Sequence, residues 1–443
     1  MSLHKFKLST LVLTSITTSL LINSAFANKE VVASEVSLSP QEIQLTSWVD
    51  QRQVVMIDEL ASHVNINTGT ANIDGINTYR DLLEQNLIDL GFKTEQHSSD
   101  SIPVLNCSGG EHQIANHLVA TRKGSSKRRI LINGHLDTVF SKGDDFQTLE
   151  IAQDGTLKGP GVADMKGGMV IMLNSLRALD SIGLLEEATI TVLLNSDEEI
   201  GSLGSRSLIE TLAKQHDIGF VFEGSYNNMA TRARKGLGQA RIKIIGRESH
   251  AGAAHEDGVS ANLELAHKVI EIEKLTDYSR NTTVNVGVMA GGEKRNTISG
   301  CADAYIDMRF PSQQDGEKLK TNILDIASNT VTNNPNYPEL PIIESWAVLH
   351  RPVKQQNDQV DNLIAEAMGL SKLIGEPITG TRYSGGGTDG SIAQAVGLPT
   401  IDSFGMDGLG AHSSREQSSV KTLMARTKLA AVMLARQIDL GNE

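Results

Sequence analysis

A histidine and an aspartate stand two residues apart in His135-Leu-Asp137, directly after the apolar run Ile130-Leu-Ile-Asn-Gly134. On an extended segment the side chains at i and i+2 point the same way. An imidazole and a carboxylate can then face one cavity at a strand end, the first as a metal ligand and the second as the group that orients it. His-x-Asp also arises by chance, and a histidine beside an apolar run is commonly just a hydrogen-bonded core residue. The pattern gains weight because further acid or histidine clusters follow: Asp164 in Gly159-Pro-Gly-Val-Ala-Asp164, the triplet Asp197-Glu198-Glu199 after Ile190-Thr-Val-Leu-Leu194, Glu223 after Ile218-Gly-Phe-Val-Phe222, and His412 in a glycine-rich loop.

His135, Asp164, Glu199, Glu223 and His412 are enough for two divalent cations, with about three ligands each and one carboxylate shared. Imidazole and carboxylate without thiolate suit Zn2+, with Co2+ or Mn2+ as the alternatives. Glu198 and Glu199 are neighbours, so in an irregular loop one can ligate while the other stays free as a general base for a water of lowered pKa. Each group also has a plainer reading. The acidic triplet reads as a solvated turn, Asp164 as a helix N-cap, and His412 as a surface-loop histidine.

The elements that must position these groups follow from periodicity. Ser39-Pro40-Gln-Glu42 has the form of a helix start, and one long amphipathic helix is expected from there to about Val64. A second, near Ile76 to Leu90, stops at Gly91. Strands at about 116–121, 129–133, 188–195 and 218–222, with helices at about 168–179 and 205–214, form the α/β alternation of a mostly parallel sheet flanked by helices. In such sheets ligands gather at the carboxyl ends of the strands. From Lys235 a β-α-β-β-α-β series suggests an inserted, ferredoxin-like α+β unit. The expected organisation is a catalytic unit over 28–234 and 348–443, with an inserted dimerisation or lid unit at 235–347.

The first 27 residues differ in kind. His4, Lys5 and Lys7, an apolar run to Leu21, and Ala25-Phe26-Ala27 read as a signal peptide cleaved after Ala27, the plainer reading being an uncleaved anchor helix. The mature protein is therefore expected to be secreted or periplasmic, and no later stretch approaches a membrane span. A net charge of −13 over 443 residues argues against nucleic acid or an anionic membrane as partner. Cys107 and Cys301, the two cysteines, are expected in different units and unpaired. Neither Gly-x-Ser-x-Gly nor a phosphate-binding Gly-x4-Gly-Lys-[Ser/Thr] occurs, so serine-hydrolase and nucleotide-binding chemistry lack support.

Taken in order, these motifs, together with Ser249-His250-Ala-Gly252 and Gly386-Gly-Thr-Asp389, resemble the two-zinc exopeptidases and amidohydrolases. That family includes carboxypeptidase G, aminoacylase, acetylornithine deacetylase and succinyl-diaminopimelate desuccinylase, and the resemblance covers the whole mature chain. It is strongest to carboxypeptidase G, although Gly224–Arg234 departs in length and composition. It implies that His135 and Glu223 hold one zinc, that Glu199 and His412 hold the other, and that Asp164 bridges them before a cis peptide bond. Asp137 would bond His135, Glu198 would be the general base, and His250 would donate to the oxyanion, often across a homodimer interface. Asn296, Arg309, Arg351 and Gly386 would contact substrate, with Arg309 gripping a carboxylate. The implied substrates are small peptides or N-acyl amino acids, cleaved before a C-terminal residue such as glutamate, with deacylase or dipeptidase action as the alternative.

Overall fold

The computed structural model describes residues 30–442, so the expected signal peptide lies outside the described residues. A six-stranded sheet runs in the spatial order Lys93–His97, His117–Arg122, Thr189–Asn195, Arg129–His135, Ile218–Val221, Thr400–Ile401. The last four of these pair in parallel, and His117–Arg122 runs antiparallel to both of its neighbours. Arg129–His135 is buried from Ile130 onward, as a strand covered on both faces must be. Helix Lys166–Ser181 is buried on almost every side and packs against the C-terminal helix Val420–Leu440, which explains its apolar residues all round.

The helix expected from Pro40 to Val64 is two helices, Pro40–Asp50 and Gln53–Val64. Arg52 leaves helical geometry (φ −116°, ψ 12°) with its guanidinium 4.1 Å above the Trp48 ring. No glycine or proline marks the break, so periodicity alone reads through it. The capping box at Ser39 and Glu42 forms as expected.

Inside the second helix His63 is 1% exposed, with Nδ1 3.2 Å from the Tyr79 hydroxyl. Burial pulls its pKa down to about 4. A folded value below the ordinary imidazole value means that folding favours the neutral ring, so this stability is complete above about pH 6.5 and is lost as pH falls through 4. Acidification from pH 7 to 4 should therefore lower Tm more steeply in the wild type than in His63→Gln. Equal slopes in a pH series of melts would remove His63 from the account.

The second sheet has the order Thr283–Gly291, Cys301–Phe310, Gly236–Ile245, Ile342–Arg351, antiparallel throughout, with helices Ala261–Glu273 and Gln313–Ser328 on one face. This is the ferredoxin-like arrangement, with an apolar core of its own. Along Gly236–Ile245 alternation sends Ala240, Ile242 and Ile244 to the helices, leaving Gln239, Arg241 and Lys243 on the other face. The last strand runs on to Arg351, past residue 347 where the inserted unit was expected to end.

Cys107 and Cys301 form a disulfide, which corrects the expectation of two free thiols. The segment after Lys93–His97 leaves the main sheet and reaches the second one. There the Asn106 amide donates to the Tyr305 hydroxyl (3.1 Å) and the Cys107 N–H to the Asp303 carboxylate (3.1 Å). A crosslink closing 194 residues of chain is expected to stabilise the protein by about 2–5 kcal/mol. Denaturant titration of Cys107→Ser/Cys301→Ser should show a lower midpoint, and an unchanged midpoint would refute the estimate.

Candidate metal centre and active site

The parallel strands deliver His135, Glu198–Glu199 and Glu223 to one rim. The loop 159–165 brings Asp164, with a cis bond between Asp164 and Met165, and the loop before Gln417–Ser419 brings His412. Asp164 lies between the two histidines: Oδ1 is 3.2 Å from His135 Nε2, and Oδ2 is 3.2 Å from His412 Nε2. On the outer sides Glu223 stands 3.5 Å from His135 Nε2 and Glu199 3.3 Å from His412 Nε2. Among the described residues, two donor sets have ligand atoms all within 4.8 Å of one another: His135–Asp164–Glu199 and His135–Glu198–Glu223.

The electrostatics of this cluster call for cations. Burial, and then the charge of Asp164, push the Glu199 and Glu223 carboxyls up to about 8. Burial also acts to raise Asp164, but its hydrogen bonds to His135 and His412 hold it well below the usual carboxylate range. Hydrogen bonds to the Asp164 and Glu199 carboxylates push His412 up to about 11. Burial opposes charge on His135, yet Glu223 carries it well above the ordinary imidazole value. Protons on these rings and carboxyls stand in for positive charge that divalent ions would supply. Two imidazoles and three carboxylates, with no sulfur, form a donor set that fits such ions.

Asp137 is buried beside His135, but its contacts differ from those expected. His135 Nδ1 meets the Asp137 main-chain carbonyl at 2.9 Å, while the carboxylate stands 3.6 Å away, beyond hydrogen-bond length. Instead the carboxylate accepts from the N–H groups of Glu198 (3.1 Å) and Glu199 (3.2 Å) and from the Thr70 hydroxyl (2.9 Å). One aspartate thus fixes the histidine tautomer through its backbone and the two glutamates through its side chain.

Arg351, expected to touch substrate, is 1% exposed, and its Nη2 is given to Glu198 Oε1 at 2.7 Å, with Ser202 Oγ at 2.8 Å. Asp389 lies 3.3 Å from the same nitrogen, and the buried Nη1 has no hydrogen-bond partner among the described residues. Its main action is therefore to orient Glu198. Arg309 and Gly386 line the cleft beside the cluster, a space of about 770 Å³. Arg309 is half-buried, with Asp307 at 2.8 Å and the Gly385 carbonyl at 3.1 Å. His250 and Asn296 are exposed and do not line the cleft. The N–H groups of Gly252 and Ala253 both donate to His250 Nδ1 (3.1 and 3.0 Å), so the neutral ring carries its proton on Nε2.

Glu416 has no counterpart among the sequence-derived candidates. It is fully buried, and its carboxylate accepts from the N–H groups of Gly161 (3.0 Å), Ala163 (2.8 Å) and Asp164 (2.9 Å), which fixes the loop carrying Asp164. In the sequence it reads as one more loop acid. Arg234 is likewise structural: its fork meets Asp402 at 2.6 and 2.9 Å, and it donates to the Gly386 carbonyl at 3.1 Å.

Comparison with known proteins agrees with this geometry. Carboxypeptidase G2 of Pseudomonas sp. (strain RS-16) is 29% identical over 425 residues, 95% of this chain and 97% of that protein. The acetylornithine deacetylase of Salmonella arizonae is 29% identical over 310 residues, covering 65% and 73%. Among solved structures, the yeast (Saccharomyces cerevisiae) di-peptidase Dug1p superposes with a TM-score of 0.70 at 16% identity over 91% of this chain and 99% of that one, a likeness of fold. Residues 131–436, which span every donor of the cluster from His135 to His412, match Peptidase family M20/M25/M40. The chain belongs to that family and is a metal-dependent exopeptidase-type hydrolase.

Proposed function

We propose that the protein is a dizinc carboxypeptidase that hydrolyses the amide before a C-terminal amino acid, with glutamate preferred. The observation that carries this reading is Asp164 lying between two histidines, with Glu199 and Glu223 outside them and Arg309 lining the same cleft. His135 and Glu223 would hold one ion, Glu199 and His412 the other, with Asp164 shared. Bound divalent ions would supply Lewis acidity, polarising a carbonyl and lowering the pKa of a bound water to about 7.

The chain's own groups do the rest. Arg309 grips the substrate α-carboxylate, for which a guanidinium fork is suited. Glu198, held by Arg351, takes the proton of the attacking water and returns it to the departing nitrogen, so that the C–N bond breaks and the free amino acid leaves. His250, with its proton on Nε2, donates to the oxygen that gains charge. Because His250 and Asn296 lie outside the cleft, we assign their action to a homodimer in which 235–347 is the inserted pairing unit and 28–234 with 348–443 the catalytic one. Two features support this: the edge position of Thr283–Gly291 and the exposed apolar side chains Val288, Met289, Leu263 and Ile270 on that unit. The disulfide supports export to an oxidising compartment, secreted or periplasmic, as the N-terminal 27 residues suggest.

The acetylornithine deacetylase relative favours a second reading, an N-acyl amino acid deacylase. A screen of peptidyl and N-acyl amino acids, each as free acid and as amide, separates the two. Release of C-terminal glutamate from free acids alone is the expected result. Equal turnover of amidated substrates would overturn the role of Arg309, and turnover of simple N-acetyl amino acids alone would favour the deacylase.

A further inference from the structure

The polar face of the second sheet forms a wall of the cleft, and Gln239, Arg241, Tyr305, Asp307 and Arg309 all line it. The strand register places Arg241 between Tyr305 and Trp346, with its guanidinium carbon 4.3 Å and 5.5 Å from their ring centroids. Arg241 is only 8% exposed, yet its Nε and Nη1 have no hydrogen-bond partner. Two residues away on the same face, the Gln239 amide nitrogen is also unpartnered. Leaving buried donors unmade is costly, more so on a charged group, and aromatic faces replace only part of what an acceptor would supply. Of the other cleft arginines, Arg234, Arg309 and Arg351 each meet a carboxylate. Arg241 and Arg382 have no such partner among the described residues, but Arg382 donates to the Thr231 hydroxyl whereas Nε and Nη1 of Arg241 donate to nothing.

We propose that Arg241, with Gln239, is an anion subsite that holds a carboxylate on the acyl side of the substrate. This rests on the carboxypeptidase reading for its direction. Leu237 pairs with both Arg309 and Arg351, so that row marks the α-carboxylate and the general base. Arg241 lies four residues further along the strand, about 13 Å away at ~3.3 Å per residue. A residue whose α-carboxylate sits at Arg309 cannot reach that far with its own side chain. The anion must come from upstream, about four residues away in an extended peptide. A cleft of about 770 Å³ has room for a ligand of that length. The implied substrates are acidic oligopeptides, or acyl groups of similar reach that end in a carboxylate.

The test uses N-acetylated pentapeptides ending in glutamate, with a second glutamate walked through the four upstream positions and glutamine as its neutral match. The wild type should favour the acidic member of the pair at the third or fourth upstream position by at least about 10-fold in kcat/KM, chiefly through KM. In Arg241→Gln that ratio should fall to about one, and Arg241→Lys should keep part of it. A ratio within one variant is insensitive to any general loss of activity, and Gln239→Leu gives a second reading if Arg241→Gln does not fold. Cleavage of both members at equal rates at every position would overturn the subsite and leave the carboxypeptidase reading standing. If no peptide loses its C-terminal residue, that reading fails, and calorimetric binding of the same pairs decides the subsite. Tighter binding of the acidic peptide, lost in Arg241→Gln, would support it, and equal affinities would overturn it.

Discussion

Glu198→Gln leaves the metal content of the protein unchanged and lowers kcat by about 10²–10⁴-fold, the range that a positioned acid–base group contributes. The glutamine can still accept from Arg351, which lies 2.7 Å from Glu198 Oε1 in the native protein, so neither the buried guanidinium nor the Asp137 contacts with the loop are left unmet. Glu198→Ala removes that acceptor and should add a loss of stability to the same loss of turnover. Metal analysis beside single-turnover kinetics separates the cases. A near-normal kcat in the glutamine variant would end the general-base assignment. A loss of metal would turn Glu198 into a ligand, a role its place in one of the two donor sets permits.

Asp164→Asn should abolish metal binding and activity together. Among the described residues Asp164 is the one carboxylate in contact with both histidines, and losing it should exceed the ~10–100-fold loss of affinity typical of outer contacts. Chelation of the wild type should have the same effect on activity, reversed by added zinc. Protons must leave for ions to bind, and Glu199 and Glu223 near 8 with His412 near 11 hold them at neutral pH. Metal affinity should therefore rise between pH 6 and 8. The stripped protein has the opposite trend in stability. Carboxyls raised from 4.5 to about 8 favour folding in their protonated form, a contribution complete below 4.5 and lost as pH rises through 8. Its Tm should fall from pH 5 to 9, and less so with metal. A chelated preparation that hydrolyses amides undiminished would remove the metal from the mechanism.

How far the sequence reaches can be judged residue by residue. The α/β alternation, the ferredoxin-like order and the strand-end placement of His135, Glu198, Glu199 and Glu223 were all legible, because strand period and helix stops are local properties of a few residues. A parallel sheet then puts its strand ends on one rim whatever the connections are, so these four side chains could be placed on one rim before any fold was known. The break at Arg52 had no local marker. The pairing of Cys107 with Cys301 and the extra length of the strand ending at Arg351 depend on how separate segments meet.

The sequence by itself thus determined the kind of chemistry: imidazoles and carboxylates, without thiols, at the ends of apolar runs. Only the tertiary structure decided how those groups are held. Arg351 reaches Glu198 from 153 residues away and Glu416 cradles Asp164 from 252 residues away. Arg241 is left unpaired between two aromatic rings by a register across three strands. Such partners are chosen by sheet order and by the need to satisfy each buried charge, and that need appears only when distant segments exclude water together.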